Sequence, residues 1–126
     1  MKIIRQVYKI KAPVEKVWEA FVNPREIEKW GGGSAKMEGK AGFKFSLWGG
    51  EIFGVNTKVV KNKLLEQDWY GGKWEAPSKV KFEFTYKDNV TSVVLMHSAM
   101  PASETDNLAD GWKDYYMGPM KEYLEN

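Results

Sequence analysis

The residue types that could do chemistry are concentrated in one stretch, VVLMHSAMP (residues 93–101), where the only histidine of the chain stands beside a serine. A histidine in that setting could be a general base, a metal ligand or a polar member of a wall. The stretch has the composition of a β-strand, and neighbouring side chains on a strand leave opposite faces. His97 and Ser98 therefore cannot easily bond to each other, and we assign no catalytic residue.

Metal, phosphate and nucleic-acid chemistry lack their usual signatures. With one histidine and no cysteine, only carboxylates remain as further metal ligands, and no acidic loop has calcium spacing. The glycine clusters at 31–33, 49–50 and 71–72 do not lead into a phosphate-binding loop. The net charge of +2, from 19 basic and 17 acidic residues, is too small to indicate a nucleic-acid partner. We expect no metal, no cofactor and no nucleic acid.

Length and hydropathy predict one domain, residues 1–126, in the cytoplasm. A chain of 126 residues is long enough to hold a core without disulfides. Residues 1–11 lack the apolar core of a signal peptide, and no apolar run approaches the ~18–20 residues that span a bilayer. The lack of cysteine fits a reducing compartment. We therefore expect no membrane association.

Hydrophobic periodicity predicts an α+β fold that ends in a long helix. Residues 2–11 alternate as a first strand, and two short helices follow at 13–21 and 25–30, the second ending at three glycines. Residues 40–100 have period two, which indicates an antiparallel meander. The helical period returns after Pro101 with an aromatic stripe, and Pro119 predicts a kink there. One helix lying on one curved sheet is the expected arrangement.

The clearest hairpin places His97 on the inner face of the sheet. Asp88 and Asn89 both tolerate positive φ and predict a two-residue turn. Counting back from this turn gives one face of mainly apolar pairs: Tyr86–Thr91, Phe84–Val93, Phe82–Leu95 and Val80–His97. Because this face is the apolar one, it should point into the core.

Two other hairpins have predicted registers. The loop at 61–63 predicts three inward pairs: Val59–Leu65, Thr57–Gln67 and Val55–Trp69. The Gly49-Gly50 turn leaves two registers open, with Phe45 opposite either Gly54 or Phe53. The apolar pattern favours Phe53.

The abundance of aromatic residues, 14% of the chain, indicates either an aromatic core or an aromatic-lined cavity. The inner face also carries Thr57, Gln67 and His97, and a buried polar group costs about 1–3 kcal/mol when unpaired. Three such groups among aromatics favour a partly open cavity, unless they bond to one another or to the backbone. The predicted ligand-cavity residues are Phe43, Phe45, Phe53, Thr57, Gln67, Trp69, Phe82, Phe84, Leu95, His97, Trp112 and Tyr116.

The outer face of the last strand carries Ser92, Val94 and Met96. This row is less polar than a fully solvated face requires. An exposed apolar row can mark a partner surface, and the alternative is a small patch without a function.

Short motifs in a fixed order resemble those of a known family. The segment APVEKVW at 12–18, with Asn23-Pro24 and Glu28-Lys29-Trp30, resembles its N-terminal signature, and Gly54 with LEQDW at 65–69 resembles its central meander. The strand TSVVLMHS at 91–98 resembles its T-x-L-x-L-x-H-S strand. Gly111-Trp112 and Tyr123-Leu124 resemble its closing helix. Two departures are the apolar Val94 and Met96 and the helix interruption at Gly118-Pro119.

The family so resembled is that of the heat-shock-protein-90 ATPase activator homologues, within the START-like (SRPBCC) superfamily. The resemblance implies a helix-grip fold, in which a curved antiparallel sheet wraps a long C-terminal helix around a cavity. It also implies hydrophobic ligands such as lipids, sterols or polyketides. In the activator itself this domain is the C-terminal part, and a separate N-terminal domain does much of the chaperone binding.

Three functions follow as hypotheses. The leading one is a non-enzymatic module, monomeric or weakly dimeric, that holds an apolar, ring-containing small molecule between sheet and helix. The second is a chaperone-associated protein that binds through the outer surface around Val94 and Met96. The third is an enzyme of the cyclase or hydratase kind that uses His97 as an acid–base group.

Overall fold

The computed structural model describes residues 2–71 and 74–126, so Gly72 of the third glycine cluster lies outside the described residues. Six strands form one antiparallel sheet in the order β1-β6-β5-β4-β3-β2. The strands are β1 (Ile4–Ile10), β2 (Lys44–Leu47), β3 (Ile52–Val60), β4 (Leu64–Gly71), β5 (Ser78–Lys87) and β6 (Val90–Ser98). The helices are α1 (Val14–Val22), α2 (Pro24–Trp30), α3 (Thr105–Gly111) and α4 (Gly118–Glu125), with a π-helical segment (Trp112–Met117) between the last two and short 3₁₀ turns at Trp48–Gly50 and Ala102–Glu104.

The predicted α+β, helix-grip arrangement is confirmed. The two short helices follow β1, and the C-terminal helix lies against the inner face of the sheet. Asn23 ends α1 and caps α2, because its Oδ1 accepts a hydrogen bond from the Arg25 N–H at 3.0 Å. Gly31 ends α2 at φ 108°, a left-handed conformation that glycine adopts without strain. Among the described residues, no helix is long and apolar enough to cross a membrane.

The β5–β6 hairpin forms in the predicted register. Asp88 and Asn89 have φ values of 53° and 65°, as a two-residue hairpin turn with a right-handed twist requires. Val80 lies opposite His97, and Phe82 lies opposite Leu95. His97 therefore points inward, and its side chain is completely buried.

The predicted β3–β4 register is correct only near the turn. Val59 lies opposite Leu65, but a β-bulge between Asn56 and Lys58 inserts Thr57 as an extra residue. Asn56 then takes the inward place opposite Gln67, and Thr57 is exposed. The prediction that Thr57 and Val55 face inward is therefore wrong, since Val55 lies opposite Asp68 and Gly54 lies opposite Trp69.

Buried hydrogen bonds of Asn56 explain why the bulge is stable. Its Nδ2 donates to the carbonyl oxygens of Glu38 at 2.8 Å and Lys40 at 3.2 Å. Its Oδ1 accepts from Gln67 Nε2 at 2.9 Å. A threonine at the inward position could not bridge these three groups, whereas an amide offers both donors and an acceptor.

The β2–β3 hairpin takes the register that the apolar pattern disfavoured. Phe45 lies opposite Gly54, and Phe53 points to the outer face, where it is 42% exposed and stacks on Tyr70 with ring centroids 5.2 Å apart. The prediction that Phe53 faces the cavity is therefore wrong. A Cβ on Gly54 would stand 1.8 Å from the Asp68 carbonyl oxygen, so only glycine lets β3 approach β4 at this point.

The C-terminal helix accommodates Pro119 by widening before it. The π-helical segment ends with the Gly118 N–H bound to the carbonyl oxygen of Lys113, five residues back. Pro119 then stands in the first turn of α4, where its missing N–H costs little. A Cβ on Gly118 would lie 2.2 Å from the Lys113 oxygen, which explains the glycine. Trp112 and Tyr116 both belong to this π-helical segment and are buried.

Candidate functional site

A pocket of about 380 Å³ opens between the C-terminal helix and the β2–β3 end of the sheet. We call it the aromatic pocket, and we call residues 48–51, which connect β2 to β3, the rim loop. The rim loop and the start of β3 form one wall, β4 contributes the floor, and the helix forms the other wall. The lining residues are Trp48, Glu51, Ile52, Trp69, Leu108, Gly111, Trp112, Tyr115 and Tyr116.

Two stacked indoles join the sheet to the helix at the floor of the aromatic pocket. Trp69 on β4 and Trp112 on the π-helical segment have ring centroids 4.6 Å apart at an interplanar angle of 29°. Tyr116 packs against Trp112 with centroids 4.8 Å apart. All three side chains are almost fully buried. Because offset-stacked and tilted rings gain energy beyond their buried area, these contacts stabilise the arrangement of the three rings.

His97 binds the Trp112 indole through a buried hydrogen bond. The Trp112 Nε1–H donates to His97 Nδ1 at 3.0 Å, and an indole nitrogen can only donate. The proton of the neutral imidazole must therefore lie on Nε2, which donates to Ser78 Oγ at 2.8 Å. Ser78 Oγ in turn donates to the Trp69 carbonyl oxygen at 3.0 Å. Both ring nitrogens of His97 are thus occupied by protein groups.

The protonation state of His97 follows from its burial. Desolvation lowers the pKa of His97 from 6.5 to about 4. The imidazole is therefore neutral near pH 7. Its two hydrogen bonds make it an orienting group for Trp112 in this structure.

A second buried chain of hydrogen bonds holds the Trp69 indole. The Trp69 Nε1–H donates to Gln67 Oε1 at 2.8 Å, and the Gln67 amide donates to Asn56 Oδ1 at 2.9 Å. Asn56 Nδ2 in turn donates to the backbone carbonyl oxygens of Glu38 and Lys40. The buried polar side chains of Asn56, Gln67 and His97 therefore form hydrogen bonds with other protein groups. The sequence had left this open as the alternative to a partly open cavity.

The rim loop holds Trp48 in an unfavourable backbone conformation. Trp48 has φ 49°, in a region where bulky residues are genuine outliers. Its N–H bonds to the Gly32 carbonyl oxygen at 2.8 Å, and its indole Nε1–H donates to the Gly31 carbonyl oxygen at 2.8 Å. These bonds to the glycine segment after α2 fix the Trp48 ring beside Trp30 and Tyr116.

Burial also fixes the state of Tyr116. It raises the pKa of the Tyr116 phenol far above its ordinary value of 10.0. The hydroxyl of this pocket-lining residue is therefore protonated near pH 7.

The structure separates the twelve predicted cavity residues into four groups. Trp69, Trp112 and Tyr116 line the aromatic pocket. Phe43 is half-buried against the core, and Phe53 and Thr57 lie outside it. The remaining six are buried behind the pocket, in a packed interior: Phe45, Gln67, Phe82, Phe84, Leu95 and His97. Phe21 fills the space in front of Phe82, with centroids 4.7 Å apart.

Sequence reasoning missed six lining residues. Leu108 belonged to the predicted helical stripe, and so did Tyr115, which is 69% exposed at the pocket edge. Gly111 was read only as part of a motif. Trp48, Glu51 and Ile52 gave no signal, because the position of the rim loop depends on tertiary bonds to the segment after α2.

The outer face of β6 is bordered by further apolar residues. Val94 and Met96 are half-buried there. Val7 lies on β1 opposite Val94 and is 47% exposed, and Ile3 just before β1 is 55% exposed.

In the part of the chain that the structure describes, no three His, Cys, Asp or Glu side chains are grouped to hold a metal ion.

Comparison with known proteins places this fold in a family. The family model described as "Activator of Hsp90 ATPase homolog 1-like protein" matches residues 11–125. An activator of 90 kDa heat shock protein ATPase homolog from Dictyostelium discoideum is 28% identical over 99 residues, which is 76% of this chain and 26% of that protein. The chain spans between 26% and 36% of the length of the first curated relatives that it matches.

Solved structures share the whole architecture. A crystal structure of an HSP90 activator from Plasmodium falciparum superposes with a TM-score of 0.91 at 24% identity, covering 98% of this chain and 96% of that one. The solution structure of an Aha1 dimer from Colwellia psychrerythraea gives a TM-score of 0.83 at 24% identity, covering 99% and 97%. At this identity the likeness shows the fold. Because the family model matches nearly the full length, the chain belongs to the family of activator of Hsp90 ATPase homolog 1-like proteins.

Proposed function

We propose that this protein binds an apolar, ring-containing small molecule in the aromatic pocket. The observation that carries the proposal is a volume of about 380 Å³ lined by three tryptophans, two tyrosines and two aliphatic residues. Concave sites of roughly 300–1,000 Å³ with such linings are typical of small-molecule ligands. Each Å² of apolar surface withdrawn from water contributes about 25 cal/mol.

The arrangement of the floor rings supports the same proposal. Trp69 and Trp112 are each fixed by a hydrogen bond at the ring nitrogen and by stacking on each other. A site that is already ordered loses little side-chain entropy when a ligand arrives. Flat rings fit over this floor, since they can pack on the less buried rings of Trp48 and Tyr115.

Filling the pocket from the helix side is expected to weaken ligand binding. Gly111 lines the pocket, and a Cβ placed on it meets nothing within 4 Å. We expect Gly111→Leu to weaken binding of hydroxymethylanthracene, a neutral three-ring test ligand, by about tenfold or more. The measurement is a titration of the intrinsic tryptophan fluorescence, which reports on the lining indoles.

Gly111→Ala is the matched control. It adds one methyl group at a helical φ of −62°, so it should preserve binding and stabilise the helix by about 0.5–1 kcal/mol. Equal affinity of the wild type and Gly111→Leu for the test ligand would place binding elsewhere, and no binding to the wild type would count against the proposal.

A chaperone-associated role is the second candidate, and family membership favours it. The Dictyostelium relative is described as an activator of the 90 kDa heat shock protein ATPase. The outer surface that includes Val7, Val94 and Met96 is the contact face this role would use. The test is the ATPase rate of the cognate chaperone with and without this chain, and an unchanged rate at high concentration contradicts the role.

A further inference from the structure

The aromatic pocket has one charged group at its mouth. Among the lining residues that the structure describes, Glu51 on the rim loop is the only charged one, and no lysine, arginine or histidine lines the pocket. Glu51 is exposed and takes part in none of the four ion pairs found among the described residues. Its carboxylate can therefore meet a ligand.

The aromatic lining adds to this negative potential. The face of an aromatic ring is electron-rich, whereas the N–H of an indole is its positive edge. Every indole N–H of the lining is bound by the protein: that of Trp48 by the Gly31 oxygen at 2.8 Å, that of Trp69 by Gln67 Oε1 at 2.8 Å, and that of Trp112 by His97 Nδ1 at 3.0 Å. The three positive edges are therefore not available to a ligand.

Neither phenol of the lining supplies a compensating positive charge. Tyr116 stays a neutral phenol, because burial raises its pKa. A phenol hydroxyl can donate a hydrogen bond, but it never carries a positive charge. A carboxylate ligand would meet Glu51 and the ring faces without a partner of opposite sign. An ammonium group would meet both with favourable electrostatics.

We propose, building on the proposed function, that the aromatic pocket selects aromatic molecules that carry an amino group protonated at pH 7. The rings of such an arylalkylamine pack against Trp48 and Tyr115, over the floor formed by Trp69 and Trp112. Its ammonium group lies between the tyrosine and tryptophan faces and the Glu51 carboxylate. Charge complementarity at Glu51 thus sets the specificity, while the less buried lining residues Trp48, Ile52, Leu108 and Tyr115 supply most of the contact area.

Three test ligands with the same rings and different charges examine this selectivity: aminomethylanthracene, hydroxymethylanthracene and anthracene carboxylate. We expect the wild type to bind the amine about tenfold more tightly than the alcohol, and the carboxylate more weakly than either. In Glu51→Gln, the ratio of amine to alcohol affinity should fall about threefold, with the remaining preference due to the ring faces. Raising the salt concentration should shrink the wild-type ratio as well, because the mouth is open to solvent.

Glu28→Gln, on the exposed face of α2, is the control for net charge, and it should keep the wild-type ratio. Equal binding of amine and alcohol by the wild type, or an unchanged ratio in Glu51→Gln, would overturn the selectivity. If the wild type binds the alcohol and Gly111→Leu binds it at least tenfold more weakly, the aromatic pocket is still supported as a ligand site. Failure of all three ligands to bind would overturn the pocket function itself.

Discussion

Replacement of His97 by leucine is expected to lower the free energy of unfolding by about 3 kcal/mol. The change removes the acceptor of the buried Trp112 indole N–H and the donor to Ser78 Oγ. A buried polar group left without its partner costs about 1–3 kcal/mol, and two are affected here. Urea denaturation at pH 7 measures the loss. A loss below about 1 kcal/mol would contradict the role of His97 as the group that holds Trp112.

His97→Gln is the matched variant, because an amide offers one acceptor and one donor where the imidazole had them. It should lose less stability than His97→Leu at pH 7. It should also remove the part of the pH dependence of the unfolding free energy that comes from His97. Burial lowers the pKa of His97 from 6.5 to about 4, so between these values the unfolded chain binds a proton that the folded chain does not.

The sign of this pH effect is fixed by linkage. The stability associated with neutral His97 is fully present above pH 6.5 and is lost as the pH falls toward 4, by about 3 kcal/mol in total. The difference in unfolding free energy between wild type and His97→Gln should therefore shift by about this amount between pH 7 and pH 4. Carboxylates titrate in both proteins and cancel in the difference. Parallel pH profiles would show that His97 is not buried in its neutral form.

The second large effect is expected for Gly54→Ala, which should destabilise the protein by about 3 kcal/mol. The new Cβ would lie 1.8 Å from the Asp68 carbonyl oxygen and 3.1 Å from Phe45 Cζ. The first of these atoms is backbone, so β3 and β4 must separate. Since Trp69 lies directly opposite Gly54, the floor of the aromatic pocket should shift as well.

Gly39→Ala is the control for this substitution. A Cβ there would make only ordinary contacts, the nearest at 3.4 Å from the Val22 side chain. Thermal unfolding of both variants measures the difference, together with near-ultraviolet circular dichroism, which reports on the packing of Trp69. A Gly54→Ala protein as stable as Gly39→Ala would contradict the close approach of the two strands.

The sequence predicted the fold where local signals and the apolar face agreed. Asp88-Asn89 fixed the β5–β6 register, and with it the inward position of His97. The β3 register was not predictable before Val59. A bulge adds one residue there, so every β3 side chain that precedes the bulge points to the opposite face of the sheet. The stability of that bulge depends on bonds from Asn56 to residues 38 and 40, which are remote in sequence.

The pocket could be predicted only in part, for a similar reason. The helical stripe predicted Trp112 and Tyr116, and strand alternation predicted Trp69. The rim loop escaped prediction because Trp48 has a positive φ, which no sequence pattern assigns to a tryptophan. The buried polar groups were read as a sign of an open cavity, yet they bond to one another and orient the two floor indoles.

The most direct test of ligand binding in the aromatic pocket is native mass spectrometry of the protein purified from its own cells. The wild type should retain a small molecule under non-denaturing conditions and release it on denaturation, whereas Gly111→Leu should retain much less of it. A wild-type protein at the bare mass of its chain, or an equal amount of the bound molecule on both proteins, would contradict the account.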